Sequence, residues 1–378
     1  MQLLHGIICG GLVLALVGLM TTSARGEDVA SSKTATTLRQ AAGDRLLIGA
    51  AISAHDLDNP PLAKLTAEQF SCLTAGNEFK PDSLQHERGN FTFERADKIA
   101  DFAQQHGQKM IGHTLMWHQQ SPAWLFQDEH KQPLPREKAL ENLKNHIDTV
   151  VKHFDGKVIG WDVVNEAVAD EGEYLRDTPA HKAIGDDFVI QAFKVAQAAN
   201  PNVELYYNDY NLEAPYKRPK GLRLIKDLKA AGCRVDAVGI QGHWLLESPS
   251  VKEIEEGIKA YADLGVKVMI TELDVDVLPR KGAGADIAAK EQGQDPYKNG
   301  LPPDVQRKLA ARYREIFRVL AKYRDAGVLT RVTFWGVYDG NSWLNDWPVR
   351  GRTNHPMLWD RQLQPKPALS AVIEALQK

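Results

Sequence analysis

The chain has 378 residues, 43% of them hydrophobic, with 46 basic against 49 acidic side chains and a formal net charge of −3. That apolar content supports a sizeable core, and the near balance of charge gives nucleic acid no electrostatic attraction. The length would make two or three average domains, but α/β barrels commonly pass roughly 250 residues as one domain.

The chain opens with an apolar run at 6–20, followed by Thr22, Ser23 and Ala24. This pattern reads as a secretory signal peptide over 1–26, removed to leave a secreted or periplasmic protein with no membrane anchor in its mature form. The run falls short of the ~20 residues that span a bilayer. Its n-region is weak, with no Lys or Arg ahead of the run. A polar stretch, 27–43, reads as a flexible N-terminal segment, and 44–378 as the domain.

From there short apolar runs alternate with longer amphipathic ones, the pattern of repeated β-α units. Strands are predicted at 46–52, 70–75, 109–115, 158–164, 203–207, 237–240, 266–271 and 331–334. Helices with apolar residues three and four apart are predicted at 94–106, 136–154, 186–199, 220–231, 251–264, 304–326 and 368–376. Eight such units imply an α/β fold closed as a single (β/α)8 barrel. An open doubly wound sheet would carry a Gly-rich phosphate loop after an early strand, and the sequence has none. Cys72 and Cys233 lie in different units without C-x-x-C neighbours and read as buried free thiols. No H-E-x-x-H or comparable spacing suggests a metal.

Barrel enzymes collect active residues at the C-terminal ends of their strands. Taken in chain order, those ends carry Asn77 and Lys80, His113 and Trp117, Asn165 and Glu166, Asn208 and Tyr210, Gln241 and His243, Glu272 and Asp274, and Trp335. Glu166 and Glu272 stand out because acetal hydrolysis needs a carboxylic acid to protonate the leaving oxygen and a carboxylate facing the anomeric carbon. With a period of two, Glu272 and Asp274 face one side, as do Gln241 and His243, so His243 is expected to keep Glu272 ionised with Asp274 behind the ring. Glu166, facing a carboxylate without a cation nearby in sequence, is expected to have a raised pKa. A lone glutamate or histidine would default to a solvated or core role. Trp161 and Trp359 read as core, whereas Trp117, Trp335 and Trp343 flank polar strand ends, where flat rings suit sugar stacking.

The segments N-E-F-K-P-D (77–82), G-H-T-L-M-W-H (112–118), W-D-V-V-N-E-A (161–167), Y-N-D-Y-N (207–211), G-I-Q-G-H-W (239–244), I-T-E-L-D (270–274) and F-W-G-V-Y-D (334–339) together resemble family 10 glycoside hydrolases, the endo-β-1,4-xylanases. The likeness runs from about residue 45 to the C-terminus. It implies hydrolysis of internal β-1,4 bonds of xylan with retention, through a covalent glycosyl-enzyme. Glu166 would be acid/base, Glu272 nucleophile, Asn165 the donor to the 2-hydroxyl, and His243 the nucleophile's partner backed by Asp274. Asn77, Lys80, His113, Trp117, Gln241, Trp335 and Trp343 would line the glycone subsites, with Tyr210 toward the aglycone. No cofactor is implied; the partners are xylan and xylo-oligosaccharides, and the expected state is a monomer.

One position departs from the family. Where the pattern has Glu before the Asn of the second-strand motif, this chain has Gly76, so distal glycone binding is expected to be weaker or reshaped. The Gly-, Pro- and charge-rich stretch at 278–303 is expected to form a flexible wall of the aglycone cleft. Two alternatives stay open: a hydrolase of another β-1,4-glycan on the same barrel, and a non-catalytic glycan-binding barrel.

Overall fold

The computed structural model describes residues 37–280 and 284–378. The apolar leader and its predicted cleavage site lie outside the described residues.

Eight parallel strands close into a barrel: β1 (Leu47–Ile52), β2 (Cys72–Ala75), β3 (Lys109–Trp117), β4 (Val158–Asn165), β5 (Glu204–Asp209), β6 (Ala237–Ile240), β8 (Lys267–Asp276) and β9 (Leu329–Phe334). Closure runs through the β1–β9 and β6–β8 pairings. A short ninth strand, β7 (His243–Leu245), pairs with β8 beyond the point where β6 ends. The strands are buried almost throughout, because helices cover the outer face and side chains fill the inner one. This double burial is why they read as unbroken apolar runs.

The helices bind the barrel through one stripe each. Val251–Ala262 buries Ile254, Ile258 and Tyr261, and its start is fixed by a capping box between Ser250 and Glu253. Each such aliphatic side chain contributes ~2 kcal/mol on burial, so the packed stripe, more than the cap at ~1 kcal/mol, holds the helix in place. Gly265, at φ 71°, takes the left-handed turn that leads from this helix into β8.

The differences from expectation are local. The last part of the stretch read as a flexible segment is ordered: Leu38–Ala42 is helical, with a Thr37–Gln40 capping box and Leu38 fully buried. Helix Pro60–Gln69 was not predicted, since it buries only Leu62 and Thr66 and has little apolar periodicity to read. Strand β8 runs five residues past its predicted end at 271, through the alternating acidic residues Glu272, Asp274 and Asp276. Trp161 and Trp359 are core, and Cys72 and Cys233 are buried free thiols.

Candidate active site

Extension of β8 positions Glu272. Register pairs His243 of β7 with Asp274 of β8, so the imidazole lies between Asp274 and Glu272, two residues earlier on the same face. His243 Nδ1 is 3.0 Å from Asp274 Oδ2 and Nε2 is 3.1 Å from Glu272 Oε2. The Trp343 indole donates to the same Asp274 oxygen at 2.8 Å. The other Glu272 oxygen accepts from the Asn208 amide of β5 at 2.7 Å. Room for that amide comes from Gly239 on β6, where a β-carbon would stand 2.4 Å from Asn208 Oδ1.

Glu166 is built differently. It follows β4 in the left-handed region, at φ 57°, a conformation costing a non-glycine residue ~1 kcal/mol or more. Two bonds hold it there: its N–H donates to Asn208 O at 2.9 Å, and Arg176 Nε donates to its carbonyl at 3.2 Å. The carboxylate accepts from Trp117 Nε1 at 2.9 Å, Gln241 Nε2 at 2.9 Å and Asn165 Nδ2 at 3.2 Å. Gln241 and His243 thus serve different glutamates, because Gly242, at φ 85°, interrupts the strand alternation between them.

These surroundings set opposite ionisation. Burial pushes the Glu166 carboxyl up to about 7, with Asp209 and, to a smaller degree, Glu272 adding repulsion. Burial acts upward on Glu272 too, but the hydrogen bond from His243 and the positive charges of His113 and His243 bring it below the usual carboxylate value. Burial would lower His243; Asp274 and Glu272 overcome it and raise the imidazole to about 9. A charged imidazolium therefore sits beside Glu272 at neutral pH, while Glu166 meets neutral donors.

The remaining residues divide by position. Lys80, His113, Trp117, Trp335 and Trp343 line the same small cavity as the two glutamates. Lys80 is buried, and its ammonium donates to Asn77 Oδ1 at 2.9 Å and Gln120 Oε1 at 2.7 Å. Burial takes its pKa down to about 8 against the pull of Glu272 and Glu166. His113 Nδ1 is 2.9 Å from Asp162 Oδ2, and its ring meets Trp335 edge-on with centroids 5.3 Å apart. Asn77 is exposed beside Lys80, and Asp274 stands behind His243.

Tyr210 is the exception. Its side chain is 2% exposed, its ring lies 3.6 Å from the Lys217 ammonium, and its hydroxyl is tied to Asp170 and Arg176. The residue expected toward the aglycone side is thus packed into an ionic cluster and is not among the residues lining the cavity that holds the two glutamates. Sequence reasoning missed Gln120, Asp162 and Trp347. Asn208 was visible as a strand end, but its link to Glu272 was not. Gln120 had no signal, since its contact with Lys80 spans 40 residues of sequence.

Such a pair, one carboxyl raised to about 7 and the other held below the usual carboxylate value in a buried cavity lined by indoles, suits acid-assisted displacement at a sugar acetal. A model of the family described as Glycosyl hydrolase family 10 matches residues 37–375. The chain is 41% identical to endo-1,4-beta-xylanase A of Xylanibacter ruminicola, over 89% of this chain and 93% of that protein. It is also 41% identical to an endo-1,4-beta-xylanase of Geobacillus stearothermophilus, over 89% and 97%. Among solved structures, a GH10 endoxylanase from a sugarcane soil metagenome superposes with a TM-score of 0.84 at 39% identity, covering 91% of this chain and all of that one. A mutant solved in complex with xylotriose gives 0.83 at 34%, covering 90% and 100%. The chain belongs to glycoside hydrolase family 10.

Proposed function

We propose that this protein is a retaining endo-β-1,4-xylanase in which Glu272 is the nucleophile and Glu166 the acid/base. The opposite ionisation of two equally buried glutamates carries the assignment: Glu166 is 4% exposed and Glu272 5%, yet their pKa values move apart. In the first step the ionised Glu272 attacks the anomeric carbon while Glu166 gives its proton to the departing oxygen. The C–O bond breaks, and a glycosyl ester forms on Glu272. Glu166, now a carboxylate, takes a proton from water as that water attacks the same carbon, which frees Glu272 and restores the acid.

The wider site supports this division. Trp117, Gln241 and Asn165 all donate to Glu166, which limits the rise that burial imposes and leaves its pKa near neutrality, where an acid that must also act as a base is most effective. Lys80 brings a buried cation beside Trp117, at 4.8 Å from its ring, a pairing that offers a donor and a flat face to one sugar. Trp335 and Trp343 supply further ring faces, and a pentose, lacking the hydroxymethyl group of a hexose, fits closer to such walls.

Glu272→Ala should abolish turnover of every xyloside, whereas Glu166→Ala should spare aryl xylobiosides with good leaving groups, whose departure needs little protonation. NMR of the first product should show retained β-configuration. An inverted first product would overturn the double displacement, and preferential cleavage of carboxymethylcellulose over xylan would overturn the substrate.

A further inference from the structure

Among the described residues two large apolar side chains stand exposed, Tyr216 and Ile287. The Tyr216 hydroxyl is engaged by the Asn211 amide at 2.7 Å, as expected of a surface tyrosine. Ile287 has no comparable explanation. It is 39% exposed, and with the buried Ala285 it lines the cavity that holds Glu166 and Glu272. An isoleucine offers a sugar hydroxyl no hydrogen bond and presents no flat face for stacking, so at this wall it acts by volume alone.

The stretch that carries it, 284–291, is fastened on the nucleophile side. Arg280 donates to His243 O at 3.0 Å and to Gly284 O at 3.3 Å. Trp347 Nε1 donates to Asp286 O at 2.9 Å, and the N–H of Glu291 donates to Pro348 O at 2.9 Å. Trp347 in turn stacks on Trp343, with centroids 4.4 Å apart. The same stretch reaches toward another strand. A β-carbon on Gly284 would stand 3.9 Å from the ring of Tyr210, which follows β5. Residues after β8 therefore reach toward those after β5. The cavity beneath is about 40 Å³, and it adjoins a second of about 150 Å³ that Trp117, Asn165 and Glu166 also line. A cavity that takes one six-membered ring measures about 150 Å³.

We propose, on the xylanase reading above, that Ile287 is a specificity-determining residue that overhangs the catalytic cavity and disfavours polymer relative to short xylo-oligosaccharides. A short oligosaccharide enters by its end and displaces one side chain. An internal stretch of polymer continues on both sides of the glutamates and must lift the bridging segment as well. Ile287 carries no ionisable group, so replacing it removes no charge or hydrogen-bonding side chain from the two glutamates.

The test compares kcat/KM on soluble xylan and on xylotetraose for wild type, Ile287→Ala, Ile287→Ser and Ile287→Trp. The two smaller side chains should raise the ratio of polymer to oligosaccharide rates by about fivefold or more, and Ile287→Trp should lower it. Melting temperatures should stay at the wild-type value, because the residue is exposed. Equal changes on both substrates, or an unchanged ratio in all three variants, would overturn the inference while leaving the xylanase reading intact. Wild-type protein inactive on both substrates would overturn that reading, and this inference with it.

Discussion

Asp274→Asn isolates the device that keeps the nucleophile charged. The substitution preserves shape and keeps an acceptor for His243 and Trp343, but removes the negative charge 3.0 Å from the imidazole. In the native protein His243 is raised from an ordinary 6.5 to about 9, with Asp274 the strongest of the groups that raise it. That rise corresponds to ~3 kcal/mol of preference for the charged ring. Without it His243 loses its charge at lower pH, and Glu272 loses the cation that holds its pKa down. At neutral pH kcat/KM on xylotetraose should fall about 30-fold, and the acidic limb of its pH profile should move upward. The basic limb, set by Glu166, should stay in place. Stability should respond with a defined sign: a raised histidine contributes stability that is complete below pH 6.5 and disappears as pH climbs through about 9. The variant's deficit in melting temperature should therefore be largest near pH 6 and shrink toward pH 10. An unmoved acidic limb with full activity would refute the role assigned to the His243–Asp274 pair.

The native pH profile of kcat/KM should lose activity on the basic side near pH 7, where Glu166 gives up the proton it must deliver, and on the acidic side only below 4.5; a basic limb above pH 9 would contradict Glu166 as the acid. Gly76→Glu should fold normally, since the nearest atom to a β-carbon there is Ile52 O at 3.7 Å, and should lower KM for xylotriose; an unchanged KM would show that the position does not face bound sugar.

The barrel was legible because parallel strands buried on both faces leave an apolar record, and seven of the strand ends carried polar or aromatic groups in order. The strand extension through Glu272, Asp274 and Asp276 was harder to read. Alternating acids look like the end of a buried strand, and only the pairing with His243–Leu245 shows that the strand goes on. The surroundings of Tyr210 were hidden for a related reason. Its neighbours Asp170, Arg176 and Lys217 come from two different loops, and nothing in their spacing shows that they close over its ring. The left-handed backbone of Glu166 also had no sequence signal, because a glycine would have announced that conformation and a glutamate does not.

That backbone choice bears on why the two carboxyls behave differently. Burial acts on both almost equally, so desolvation alone would make both weak acids and leave no nucleophile. The distinction must come from charge. Glu272 stays in the strand, in register with β7, and so receives the imidazolium. Glu166 turns out of its strand at φ 57°, away from a ladder position, and its carboxylate meets an indole and two amides, which donate hydrogen bonds but carry no charge. Lys217 and Arg176 are engaged by Asp209, Asp170 and the Glu166 carbonyl, and the Lys80 ammonium by Asn77 and Gln120. Asp209 then acts on Glu166 as a net repulsion, and the carboxyl holds its proton to about pH 7. One fold thus yields opposite ionisation from the same side chain by placing one glutamate inside a strand ladder and the other one step beyond it.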